Sequence, residues 1–122
     1  MGDASLVGHV VLIVEPTIGQ FVHNLQNALE RIGAETLTVR QPGEAIERLG
    51  AFRFSTCLIN YDHASGALHA LIDDLGDIPM LLYGGASAAI ASTRILPRPT
   101  FAHASVDSIV SALGRLLRSP RH

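Results

Sequence analysis

The sequence predicts an α/β fold, a parallel sheet with helices on both faces, and three observations carry that reading. Short apolar runs of strand length alternate five times with stripes of helical period. The first run, Val10–Val14, is continuously apolar, which is the pattern of a strand covered on both sides. The chain has 122 residues, 48% of them hydrophobic, enough for one domain with a core and too few for two. Right-handed crossovers between such alternating units favour a parallel sheet.

The elements follow in order. After the first strand, Ile18, Phe21, Val22, Leu25, Ala28, Leu29 and Ile32 form an amphipathic stripe, with Pro16 as its expected opening residue and Gly33 as its stop. A second strand is expected over 36–39. The segment QPGEAIERLG then reads as a helix with Ala45, Ile46 and Leu49 on one side. A third strand is expected over 54–59 and a helix over 64–75, with Leu68, Leu71, Ile72 and Leu75 periodic. Pro79 can open the fourth strand, Met80–Tyr83, where a missing donor is tolerated. ASAAIAS reads as a short helix and 94–96 as a fifth strand. Val106, Ile109, Val110, Leu113, Leu116 and Leu117 make the clearest helical stripe. The expected domain is 10–118, with flexible ends at 1–9 and 119–122.

Composition narrows the function. A formal charge of -2 with 16% charged residues provides no basic surface for nucleic acid or an anionic membrane. All nine basic residues other than histidine are arginine, so the chain has no lysine. Cys57, alone in an apolar run, reads as a buried structural thiol. A single cysteine allows no internal disulfide, and neither a signal peptide nor a membrane-length apolar run is visible. The expected compartment is the cytoplasm.

In an open α/β sheet, chemistry gathers beyond the carboxyl ends of the strands. The groups there are Glu15, the loop Asn60, Tyr61, Asp62 and His63, the stretch YGGAS from Tyr83, and Arg98 between Pro97 and Pro99. His63 and His69 lack the i, i+4 spacing of helical metal ligands, and Asp73, Asp74 and Asp77 read as a solvated helix end, so no metal site is expected.

Taken together, VVLIVE, PGEAIERLG, CLIN, PMLLYGG and ILPRP, in that order and spacing, resemble the receiver domain of bacterial two-component response regulators over nearly the whole chain. The resemblance implies a flavodoxin-like three-layer sandwich, a five-stranded parallel sheet of order 2-1-3-4-5. A phosphorylatable receiver holds Mg²⁺ on an acidic pair after the first strand and accepts a phosphoryl group on an Asp ending the third. A small hydroxyl residue ends the fourth strand, and a Lys follows the fifth. Carboxylates and cations serve that reaction because hard oxygen ligands bind Mg²⁺ and positive charge offsets the transferred group.

Laid on this sequence, the first acid is Glu15, and the second position falls on Pro16. The acceptor position falls on Asn60, the switch hydroxyl on Tyr83 and the lysine on Arg98. Four of the five positions have changed, and an amide cannot form the acyl phosphate that an Asp forms. The resemblance therefore implies a degenerate receiver, or pseudo-receiver, with Glu15 solvated or paired with Arg98, and with no cofactor. Tyr83 suits either an interface or packing on the sheet, and Ser108, Ser111, Ala112 and Arg115 on the last helix form a candidate interface by the same resemblance.

The expectation is a stand-alone signalling domain, not an enzyme, that binds a protein partner: a histidine kinase, another response regulator or a second copy of itself. Two alternatives stay open. One is a working receiver phosphorylated on Asp62 with Glu15 helping to hold Mg²⁺. The other is a flavodoxin-like domain that binds a small anion or nucleotide at YGGAS and Arg98.

Overall fold

A computed structural model describes residues 6–60, 66–84, 100–103 and 105–118. The elements are β1 (Val10–Val14), α1 (Gln20–Arg31), β2 (Glu35–Val39), α2 (Pro42–Ala51), β3 (Thr56–Asn60), α3 (Gly66–Leu75), β4 (Met80–Tyr83), β5 (Thr100–Ala102) and α4 (Val106–Arg118). The strands form one parallel five-stranded sheet of order β2-β1-β3-β4-β5, as the sequence led us to expect.

Strand side chains alternate between faces, and here the alternation sorts the interior into two cores. Leu12, Val14, Cys57, Ile59, Met80 and Leu82 point to the side covered by α2 and α3, where they meet Ala45, Leu71, Ile72 and Leu75. Val11, Ile13, Leu58, Leu81 and Tyr83 point to the opposite side, against Val22, Leu25 and Leu29 of α1 and Ile109, Ala112 and Leu113 of α4. At roughly 1.5–3 kcal/mol per fully buried aliphatic side chain, these two layers supply most of what holds the sheet between its helices. Burial also pushes the Cys57 thiol well above its ordinary pKa, because the thiolate would be stripped of water.

Local chemistry sets the helix ends. The first helix begins at Gln20, with Gly19 at its N-cap, so Pro16 belongs to the loop after β1 and does not open the helix. Its far end is a paired turn: Gly33, at φ +101°, donates to Glu30 O, and Ala34 donates to Leu29 O. The next helix starts with a capping box, in which the Glu44 carboxylate accepts from the backbone N–H of Gln41 at 3.2 Å.

The expected flexible N-terminal end also needs correction. Packing begins before residue 10: Leu6 is completely buried in the α1/α4 core, and its N–H donates to Ile32 O at 2.7 Å. An isolated Leu with no periodic neighbours carries no sequence signal of this kind. Among the described residues, the strand that pairs with β4 on its far side is Thr100–Ala102. Residues 94–96 and the expected helix ASAAIAS lie outside the described residues.

Two outcomes follow. Leu6→Ala should destabilise the fold by about 2–5 kcal/mol, the usual range for emptying a fully buried leucine site, measured by urea unfolding; a loss below about 0.5 kcal/mol would mean that the N-terminal segment is not seated in the core. Cys57 should resist a thiol reagent in the native protein and react once urea unfolds it, so rapid native-state labelling would contradict its burial.

Candidate functional site

The site is built where three central strands end side by side. The strands β1 and β3 are in parallel register through Val14 and Ile59, and β3 and β4 through Asn60 and Tyr83. Glu15 follows β1 directly and keeps its extended course, its N–H donating to Val39 O at 2.9 Å. Pairing thus carries Glu15, Asn60 and Tyr83 to one end of the sheet, although 45 and 68 positions separate the first from the other two.

Glu15 is only 3% exposed, and its carboxylate is fully engaged. Asn60 Nδ2 donates to Oε1 at 2.9 Å and to Oε2 at 3.1 Å. The Tyr83 hydroxyl donates to Oε1 at 2.7 Å, and the backbone N–H of Thr17 donates to Oε2 at 3.1 Å. A buried carboxylate is tolerated when hydrogen bonds replace its lost hydration. Among the described residues, no buried side-chain nitrogen or oxygen lacks a partner.

Tyr83 itself is 1% exposed. Its ring lies in the α1/α4 core, 5.8 Å from the Phe21 ring between centroids and inclined at 44°. The phenol therefore has an apolar body in the core and a polar tip on Glu15. Of the two places expected for Tyr83, the structure selects packing on the sheet over an exposed interface. The solvated Glu15 also gives way to one bonded to Asn60, Tyr83 and Thr17. Sequence spacing had placed Glu15, Asn60 and Tyr83 at strand ends, but not the phenol's turn toward Glu15, which depends on the face that Tyr83 takes in β4.

Asp62, His63, Arg98 and Gly85 to Ser87 of the YGGAS stretch lie outside the described residues. With the fifth strand at Thr100–Ala102, the residue that follows it is His103, exposed, and not Arg98. The signal for this lay in the last helix: its stripe opens at Val106, and Ser105, whose Oγ accepts from Ser108 N–H at 3.2 Å, marks the start that the strand must precede. Asp73, Asp74 and Asp77 are exposed, as a solvated helix end should be.

A groove of about 380 Å³ runs between the end of β5 and α4, and Ser108, Ser111, Ala112 and Arg115 line it together with His103 and Asp107. The structure thus brings the candidate interface residues of the last helix onto one concave surface, without Tyr83. Among the described residues, no helix is long and apolar enough to cross a membrane.

Among the described residues, the Glu15 carboxylate is already fully hydrogen-bonded. Mg²⁺ requires several oxygen ligands in near-octahedral array. The described groups offer one carboxylate whose oxygens already accept four hydrogen bonds, beside a proline, so they fit the ion poorly. The amide of Asn60 offers no carboxylate nucleophile.

No protein-family model and no curated protein matches the chain by sequence. Its fold is nonetheless that of known receiver domains. The Francisella response regulator 1452 receiver domain superposes with a TM-score of 0.70 at 13% identity, over 90% of this chain and 96% of that one. The signal receiver domain of a histidine kinase from Syntrophus aciditrophicus gives 0.71 at 23% identity, over 93% and 96%. The anti-anti-sigma factor PhyR from Bartonella quintana gives 0.73 at 17% identity, over 94% of this chain and 49% of its own, so the chain spans about half of PhyR. The protein therefore has the fold of response-regulator receiver domains.

Substitution at the cluster should show how it is balanced. Asn60→Asp would set a second carboxylate against the buried Glu15 at a half-buried position. Like charge would raise the pKa of the introduced carboxyl in the folded state above its unfolded value, so the variant's deficit is largest at pH 8 and shrinks as pH falls toward 5. Urea melts at the two pH values should show a loss of about 2–4 kcal/mol at pH 8 and less at pH 5. A pH-independent loss would indicate that the two groups do not face each other. Tyr83→Phe keeps the ring and removes one bond to a charged acceptor, with an expected loss of about 1.5–3 kcal/mol.

Proposed function

We propose that this protein is a receiver-like signalling domain that works by binding another protein and does not take up a phosphoryl group. The observation that carries the reading is the hydrogen bonding of Asn60 and Tyr83 to Glu15. The acceptor and hydroxyl positions of the resemblance are both spent on satisfying the one remaining acid. A receiver that cycles must leave its acids free to hold Mg²⁺ and attack a phosphodonor. Here the same place is filled by neutral donors whose bonds favour one arrangement.

Without a chemical step, signalling rests on recognition. The groove lined by His103, Ser108, Ser111 and Arg115 is a surface suited to it, since it combines donors of several kinds with the small side chain of Ala112. PhyR, with the same fold, is an anti-anti-sigma factor, which supports a protein as the partner class. A histidine kinase, another response regulator or a second copy of this chain would each suit such a surface. No metal or organic cofactor enters this reading.

The test is intact mass after incubation with Mg²⁺ and a small-molecule phosphodonor, run on the wild type, Asp62→Asn and Asp107→Asn. No adduct on any of the three is the expected result. An adduct that disappears only in Asp62→Asn would overturn the reading and make the domain a working receiver with its acceptor two residues beyond Asn60.

A further inference from the structure

We propose that β2, a free edge of the sheet, pairs with β2 of a second copy of this chain, antiparallel and about a two-fold axis at Leu37. Among the described residues, β2 has a strand neighbour on one side only, which is β1. The register fixes which of its backbone groups are spent on that neighbour. Glu35 N–H donates to His9 O at 3.0 Å, and Val39 O accepts from Glu15 N–H at 2.9 Å. Successive residues of a strand direct their N–H and C=O groups to opposite sides. Glu35, Leu37 and Val39 therefore face β1, while Thr36 and Thr38 turn theirs outward. An outward row of this kind is a template for one more strand, and the stretch from Ala34 to Arg40 holds no proline to block it.

The same hydrogen bonds select the register and the occupant. Beyond the two threonines, the next outward amides are already engaged within the chain: Ala34 N–H donates to Leu29 O at 3.0 Å, and Arg40 N–H to Glu44 Oε1 at 2.9 Å. A second β2, run antiparallel with Thr36 opposite Thr38, lets each threonine N–H donate to the C=O of the threonine across from it. A slip of one residue would set Leu37, whose groups face β1, against a threonine. A slip of two would set a threonine against Ala34 or Arg40, whose N–H is taken. Parallel pairing of two identical edges does not close on itself. The side chains fit the same arrangement. Leu37, half-buried against the α2/α3 core, meets its own copy on the axis, and paired threonines are a favourable cross-strand match. On the other face, Thr36 Oγ1 donates to Glu30 Oε2 at 3.0 Å, which draws that exposed carboxylate to the edge. Arg40 of the second copy falls opposite Ala34, one pleat from Thr36, so each end of the interface sets a guanidinium within reach of a carboxylate. Glu35 falls opposite Val39, and no like charges oppose each other. The pairing uses neither the Glu15 cluster nor the groove beside α4.

The test is analytical ultracentrifugation of the full chain over a wide concentration range, for the wild type, Thr38→Pro, Arg40→Glu, Glu30→Arg and the double variant Glu30→Arg/Arg40→Glu, with Ser111→Arg as a control in the groove. The wild type should show a reversible monomer–dimer equilibrium. Proline is tolerated on an edge strand where its nitrogen faces outward, so Thr38→Pro should keep its fold by circular dichroism. It removes one ladder hydrogen bond from each half of the interface and should weaken the dimer at least about tenfold. Either charge reversal alone should weaken association, and the double variant should regain it, while Ser111→Arg leaves it unchanged. A wild type that stays monomeric throughout would overturn the proposal. So would a dimer that survives Thr38→Pro, or one that Ser111→Arg abolishes. Should Thr38→Pro fail to fold, the charge series decides: no recovery in the double variant would refute the two-fold register. Phosphoryl uptake is read separately by mass: an adduct would remove the binding-only reading and leave this pairing standing, whereas a monomer would do the reverse.

Discussion

The hydrogen bonding of a buried carboxylate by an amide and a phenol is the constraint on which the functional end of this molecule depends. Glu15 has left water almost completely, and an unpaired carboxylate in that position would be costly enough to open the structure or to take up a proton. Asn60 and Tyr83 remove the penalty with neutral donors, and Thr17 completes the set through its backbone. Each donor comes from a different segment: the end of β3, the end of β4 and the loop after β1. The cluster thus joins the ends of three strands by interactions other than those of the sheet ladder.

Those strands reach one another because the sheet is sorted so completely into two faces. A parallel strand buried on both sides has no polar face to orient it, so its register is set by pairing and by the fit of alternate side chains to the two helical layers. Tyr83 shows the consequence. As the last residue of β4 it alternates onto the same face as Leu81, in the α1/α4 core, which brings Phe21 against its ring. One register step would place it among Met80, Leu82 and Ile72 on the other face, where the same hydroxyl would serve a different environment.

Much of this was legible in the sequence. Continuous apolar runs and 3.6-residue stripes gave the first four strands, their alternation with helices and the parallel sheet, because those periods reflect how backbone geometry exposes side chains. The residues at the strand ends could also be named, Glu15, Asn60 and Tyr83 among them. Three features were not legible, for separate reasons. The seat of Leu6 depends on a long-range contact with the end of α1 and leaves no periodic trace. The strand Thr100–Ala102 holds only Phe101 and Ala102 as an apolar run, so it was not named, and neither was His103 after it. The partner of Glu15 depends on side-chain direction, which is a property of the folded sheet, so the phenol could be read as an interface residue or as sheet packing but not as a donor to Glu15.

Under the proposed binding-only reading, the residues at these strand-end positions make sense as a set, because each alters what the others require. Once the acceptor position carries an amide, a second acid beside Glu15 would have no cation to share, and Pro16 supplies none. With a single acid left, the need shifts from holding a metal ion to covering one negative charge, and a phenol long enough to reach it from β4 does so better than a small hydroxyl. A phenol with its ring in the core cannot be a freely moving reporter. It becomes a strut between the α1/α4 core and the carboxylate of Glu15.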